Sequence, residues 1–157
     1  MRLLTRGIPL ITALVSSISF CQPTELDQYL QSKNILNAQY KIQDKKALNE
    51  ILKSLTEEDA RVLPYQLDQN IILEKIELYA NHVDVEGMIS TPDFKQFVDS
   101  MGEKQFKAMM RRNLIQNCPQ LFEHQFQHAN PYYIDLKLSA THQQYRFKLK
   151  NTECSKP

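Results

Sequence analysis

Few residues in this chain combine type and spacing in a way that could do chemistry. Glu123-His124 is followed four positions later by His128, and two histidines at that spacing on a helix can share a zinc ion. In the hydrolytic form of the pattern a glutamate directly follows the first histidine and serves as general base. Here that position holds Gln125 and the acid precedes the pair. No third ligand is evident, because Cys118 is better used in a disulfide. The two histidines therefore read as polar residues of a helix face, and a metal-dependent hydrolase built on His124 and His128 is the outlying alternative. Serines and aspartates are plentiful, but none stands in a nucleophile elbow or triad context. His82 and His142 fall in hairpin turns, and Asp84 with Glu86 shares the outward face of one strand, where carboxylates are ordinarily solvated. Lys104, Lys107, Arg111 and Arg112 give a modest basic helix face opposite a Phe/Met stripe, which also reads as solvated surface. No catalytic residue, metal or cofactor is assigned.

Three cysteines remain. Cys118 ends a helix, Cys154 follows the last strand, and Cys21 lies close behind an apolar leader. A Cys118–Cys154 bridge would staple the C-terminal hairpin to the helices. It closes a loop of about 37 residues, worth roughly 3–4 kcal/mol in the chain-entropy account.

An oxidising compartment is implied by the N-terminus. Arg2 and Arg6 form a positive n-region, Ile8–Val15 an apolar h-region, and Ser17 with Ser19 the small pair that a signal peptidase requires. Ile8 to Phe20 is too short for a membrane span, which needs about 20 residues. Residues 1–19 thus read as a cleaved signal peptide, with no membrane span. Ile18-Ser19-Phe20-Cys21 is similar to a lipobox at two positions, but Phe20 stands where a small residue belongs. A lipid anchor at Cys21 is therefore the disfavoured alternative.

Charge and composition exclude several classes. The chain of 157 residues carries Lys+Arg 19 against Asp+Glu 18, and removal of the leader leaves it as nearly balanced. It lacks the positive field expected of a nucleic-acid binder. Of the three glycines, only Gly87 and Gly102 lie outside the leader, too few for a phosphate-cradling loop or dinucleotide fingerprint.

The elements that must position these residues follow from periodicity. Thr24 with Glu25 and Asp27 starts a helix that ends near Lys33-Asn34. Asp44 caps a second, where Leu48, Ile51, Leu52 and Leu55 make one apolar stripe. Leu63-Pro64 ends helical structure. From Ile71 the period becomes two. Apolar residues occupy both faces of the first run, suggesting a strand covered on both sides. Val83, Val85, Gly87 and Ile89 then alternate with polar residues. Ser90-Thr91-Pro92-Asp93 reads as a helix start, Gly102 as a kink or break, and Gln120–Ala129 as a further short helix. Ile134, Leu136 and Leu138, then Tyr145, Phe147 and Leu149, define a second hairpin. The expectation is an α+β fold, an antiparallel sheet of about four strands in two hairpins, with helices on one face. Residues 20–62 form an N-terminal helical segment belonging to one compact domain with the body, 63–157.

The run Leu63-Pro64-Tyr65-Gln66-Leu67-Asp68, the Cys118-Pro119 helix end, the aromatic start Tyr132-Tyr133 and the final Cys154 together resemble small exported Gram-negative proteins. These are described as quorum-sensing-regulated virulence factors and include uncharacterised relatives. The resemblance covers about residues 63–154 and implies an exported α+β domain with one disulfide. It supplies no catalytic residue. The function expected is a non-enzymatic periplasmic or secreted accessory protein, virulence-associated, that binds another envelope protein. A periplasmic immunity protein that neutralises a toxin is the alternative.

Overall fold

A computed structural model describes residues 22–141 and 143–154. Residues 1–21, on which the signal-peptide and lipobox readings fall, His142 and residues 155–157 lie outside the described residues. Helix α1 (Glu25–Ser32) begins where Thr24 and Asp27 cap each other reciprocally, and α2 (Lys45–Asp59) begins where Asp44 accepts from the Ala47 amide at 2.9 Å. Each cap satisfies amides that the first helical turn leaves without partners. Leu48 and Leu52 are the buried members of the α2 stripe, with Ile51 and Leu55 partly buried beside them. A single 3-10 turn (Ala60–Val62) follows, and proline closes it as expected.

The described strands form one sheet in sequence order: β1 (Tyr65–Gln66), β2 (Ile71–Tyr79), β3 (His82–Ile89), β4 (Tyr133–Ala140) and β5 (Gln143–Lys150). The two expected hairpins are β2–β3 and β4–β5. Two features extend the expectation. A fifth strand, β1, adds two residues at the edge, and the hairpins join through a parallel β3–β4 pair, with Val83 opposite Ile134 and Val85 opposite Leu136. Residues 90–132 make the crossover that parallel neighbours require.

Strand β2 is covered on one face, not two. A bulge between Leu73 and Lys75 shifts its register by one residue. Ile71 and Leu73 therefore share the core side with Ile76 and Leu78, while Ile72 joins Lys75, Glu77 and Tyr79 outside. The helices occupy the core side. Leu30, Leu48, Leu52, Phe122 and Phe126 bury against Val83, Ile134 and Leu149. Further along, Val98 and Phe106 meet Ile89, Leu138, Tyr145 and Phe147. Each such aliphatic or aromatic burial contributes about 1.5–3 kcal/mol.

Within the crossover, helix α3 (Phe94–Met101) begins after Asp93 rather than at Ser90, because Thr91 and Pro92 are spent in a turn in which the Phe94 amide bonds to the Thr91 carbonyl. Gly102, at φ +87°, breaks the chain into α3 and α4 (Glu103–Gln116). The segment expected as one helix over Gln120–Ala129 is two: α5 (Cys118–Leu121) and α6 (Gln125–Ala129), separated by extended backbone at His124.

Candidate functional site

His124 and His128 are both engaged in the scaffold. His124 lies just before α6 in extended backbone (φ −94°, ψ 144°), so the pair does not share a helical face. Its Nδ1 lies 2.8 Å from Thr24 Oγ1, and its ring stacks on Phe126. His128 Nε2 donates to the Phe122 carbonyl at 2.6 Å. The centre of this cluster is Asp27, fully buried. Its carboxylate accepts from the Thr24 amide and hydroxyl at 3.0 and 2.9 Å, and from the Gln125 and Phe126 amides at 2.8 and 3.3 Å. One carboxylate thus caps both α1 and α6. Threonine, histidine and aspartate are all present, but the hydroxyl stands between the other two. A nucleophilic triad needs the imidazole in the middle, oriented by the carboxylate. Among the described residues no group of three or more His, Cys, Asp or Glu side chains is arranged to hold a metal ion.

Cys118 and Cys154 are joined, with an S–S distance of 1.97 Å. The bridge fixes the 3-10 turn Asn151–Glu153 after β5, where Glu153 accepts from the Lys150 amide at 3.0 Å and pairs with Arg111. Arg111 also donates to the Lys148 carbonyl at 3.3 Å. Lys107 is paired with Glu103, so the basic face of α4 is partly neutralised.

The face of the sheet away from the helices carries the remaining sequence candidates. Across β2, β3 and β4 the rings of Tyr79, His82 and Tyr133 stack, with centroids 4.4 and 5.1 Å apart, and Lys148 Nζ lies 3.5 Å from the Tyr133 centroid. Beside them Glu86 pairs with Lys137, and Arg146 grips the buried Asp135 at 2.7 and 2.5 Å. The Arg146 hydrogen bonds hold the Asp135 carboxyl below the usual carboxylate range. In the same way Lys75 lowers Glu77, which in turn raises Lys75. Asp84 and Glu86 belong to this cross-strand charge pattern, which holds the sheet together rather than confronting a pocket. Under the hairpin, the buried Tyr132 hydroxyl donates to the Tyr79 and His82 carbonyls at 2.8 and 3.0 Å, and burial pushes its pKa up to about 12.

The open feature is at the other edge. Strand β1 pairs with β2 only opposite Leu73 and Ile72. Farther along β2, the Leu78 amide donates to Thr56 Oγ1 at 3.0 Å, and the Ala80 amide to Asn49 Oδ1 at 2.8 Å. Side chains of α2 thus cover the far end of this edge. Between β1 and those contacts lies a cleft of about 230 Å³ lined by Thr56, Ala60, Leu63, Pro64 and residues 74–77. Val62, Tyr65 and Leu67, from the segment carrying Leu63 and Pro64, are 70%, 55% and 57% exposed. In the sequence this segment reads as a helix stop. The signal it held was an apolar residue on either side of the stop, with no alternation to bury it.

The fold defined by these elements is an open, mostly antiparallel five-stranded sheet with helices on one face. Among solved structures it is similar to a secreted protein from Pseudomonas aeruginosa, at TM-score 0.52 and 12% identity over 70% of this chain and 95% of that one. It is also similar to a pilotin from the Vibrio vulnificus type 2 secretion system, at TM-score 0.50 and 12% identity over 71% of this chain and 94% of the pilotin. At that identity the likeness is one of fold. No family model and no curated protein sequence matches the chain.

Proposed function

We propose that this chain is an exported, non-enzymatic accessory protein of the Gram-negative envelope that acts by binding another envelope protein. The observation that carries the reading is the cleft beside β2, together with the exposed Val62, Tyr65 and Leu67 on the segment that supplies its lining residues Leu63 and Pro64. Large apolar side chains left exposed along one short segment of a small domain mark an interaction surface. Among the described residues, the sequence candidates His82, His124, His128, Asp84 and Glu86 are committed to side-chain hydrogen bonds, stacks and ion pairs. The fold shared with a secreted protein and a secretion-system pilotin supports an envelope setting and an accessory role. The leader read in residues 1–19 agrees with export.

The test is site-specific photocrosslinking in the native envelope. A crosslinking residue at position 65 or 67 is expected to capture one discrete envelope protein. The same residue at Lys46 or Lys95, exposed elsewhere, should not. Equal capture at all four positions, or none at 65 and 67, would sink the proposal.

A further inference from the structure

The two edges of the sheet are treated differently by the sequence. On β5, the Lys148 carbonyl is taken by Arg111 and the Lys150 amide by Glu153, and Arg146, Lys148 and Lys150 line the strand. Cationic side chains and occupied main-chain groups are the usual means of blunting an edge. The edge on the β1 side is unfinished. β2 spans Ile71–Tyr79, whereas β1 is only Tyr65–Gln66.

The open portion can be located by register. The Leu78 amide points away from β3, toward Thr56. By the two-residue period of a strand, the amide and carbonyl of Ile76 point the same way. Among the described residues no strand or side chain pairs with them. Ile76 lines the cleft, between the end of β1 and the cap supplied by Thr56. An extended segment laid there would exchange hydrogen bonds with Ile76 and pack beside Leu63 and Pro64, which wall the cleft next to β1.

The charges state what that segment carries. Glu74 and Glu77 line the cleft against Lys75 alone, and Lys75 is already engaged by Glu77 at 3.0 Å. Glu57, Glu58 and Asp59 end α2 next to the cleft residues Thr56 and Ala60. Of these, Glu57 has an ion-pair partner, Lys53, among the described residues. Arg61, next to Ala60, is a cation on that side, but the acids outnumber it and Lys75, so the surroundings are acidic, which selects a basic segment and disfavours an acidic one.

We infer that the partner is bound by strand addition: an extended segment alternating apolar and basic residues pairs with Ile76 of β2 in continuation of β1. The inference rests on the reading of the rim as a docking surface and adds the mode and the chemistry of the occupant.

The experiment uses the chain labelled with 15N and an acetylated eight-residue peptide of alternating valine and lysine. Binding is expected to slow amide exchange at Ile76 at least tenfold. A peptide N-methylated at alternate residues, so that it cannot pair, should leave Ile76 exchange unchanged. A valine–glutamate peptide should bind at least tenfold more weakly. If Val62, Tyr65 and Leu67 shift while Ile76 exchange does not change, strand addition is refuted and the rim survives as a docking surface. If neither region responds at millimolar peptide, strand addition by a basic segment fails, while the crosslinks at positions 65 and 67 still decide the rim. Protection of Ile76 in the free chain that grows with protein concentration would make the occupant a second copy and overturn the inference.

Discussion

Removing the Asp27 carboxylate should cost far more than an ordinary helix cap, because it serves two helices from a buried position. Asp27→Ala deletes the acceptor for the Thr24 amide and hydroxyl and for the Gln125 and Phe126 amides. Loss of one cap costs about 1 kcal/mol. Two caps, together with about 1–2 kcal/mol for a buried donor left unpaired at Phe126, give about 3–4 kcal/mol. A small domain has about 5–15 kcal/mol in all, so the variant should still fold. Its urea midpoint should fall by roughly 2 M for a slope near 2 kcal/mol/M. Asp27→Asn separates the two roles. Its amide oxygen can replace Oδ2 toward Thr24 and Gln125, but its NH2 then faces the Phe126 amide. It should lose about 1–2 kcal/mol, and exchange at Phe126 should accelerate more than at Gln125. Urea unfolding followed by circular dichroism and native-state amide exchange give both readouts. A loss below about 1 kcal/mol for Asp27→Ala, or equal losses for the two variants, would refute the shared-cap account.

Other expectations follow from single features. Tyr132 has its pKa raised to about 12, so its contribution is complete below an unfolded value near 10 and is lost as pH rises toward 12. Tyr132→Phe should flatten the fall in stability between those pH values, measured by denaturation at a series of alkaline pH values. Gly87→Ala would place a Cβ 2.9 Å from the Ile72 carbonyl oxygen, a backbone atom in the neighbouring strand. It should lose about 1–3 kcal/mol in urea titration, whereas Gly87→Ser should be no better. Reduction of Cys118–Cys154 should lower stability by roughly 3–4 kcal/mol and quicken exchange at the Lys150 amide, which Glu153 holds.

What was legible in the sequence was what local chemistry dictates. The Thr24–Asp27 box, the Asp44 cap, the break at Gly102 and both hairpins are written in neighbouring residues. The second duty of Asp27 was not, because its partners Gln125 and Phe126 lie almost a hundred positions away. The inner face of β2 was ambiguous for a different reason. A bulge at Glu74 lets apolar residues of opposite parity reach one side, and periodicity counts them as two faces. The split at His124 also defeated the helical reading: the i, i+4 spacing of its histidines is real, but the backbone between them is not one helix. The cleft beside β2 escaped because it depends on β1 stopping early, and a strand of two residues has no period to detect.

The parallel contact between β3 and β4 bears on how the chain reaches this structure. Each hairpin closes over a turn of a few residues, an event of microseconds. The seam between them has no such shortcut: it forms only after residues 90–132 have turned back on themselves, with the loop-closure entropy that entails. The seam is therefore the slow step, and until it closes the edges of β3 and β4 are two exposed strand templates. Until it closes, Phe122, Phe126 and Tyr132 remain without their shared core, and on the proposal that the chain is exported before folding that interval falls outside the cell's interior.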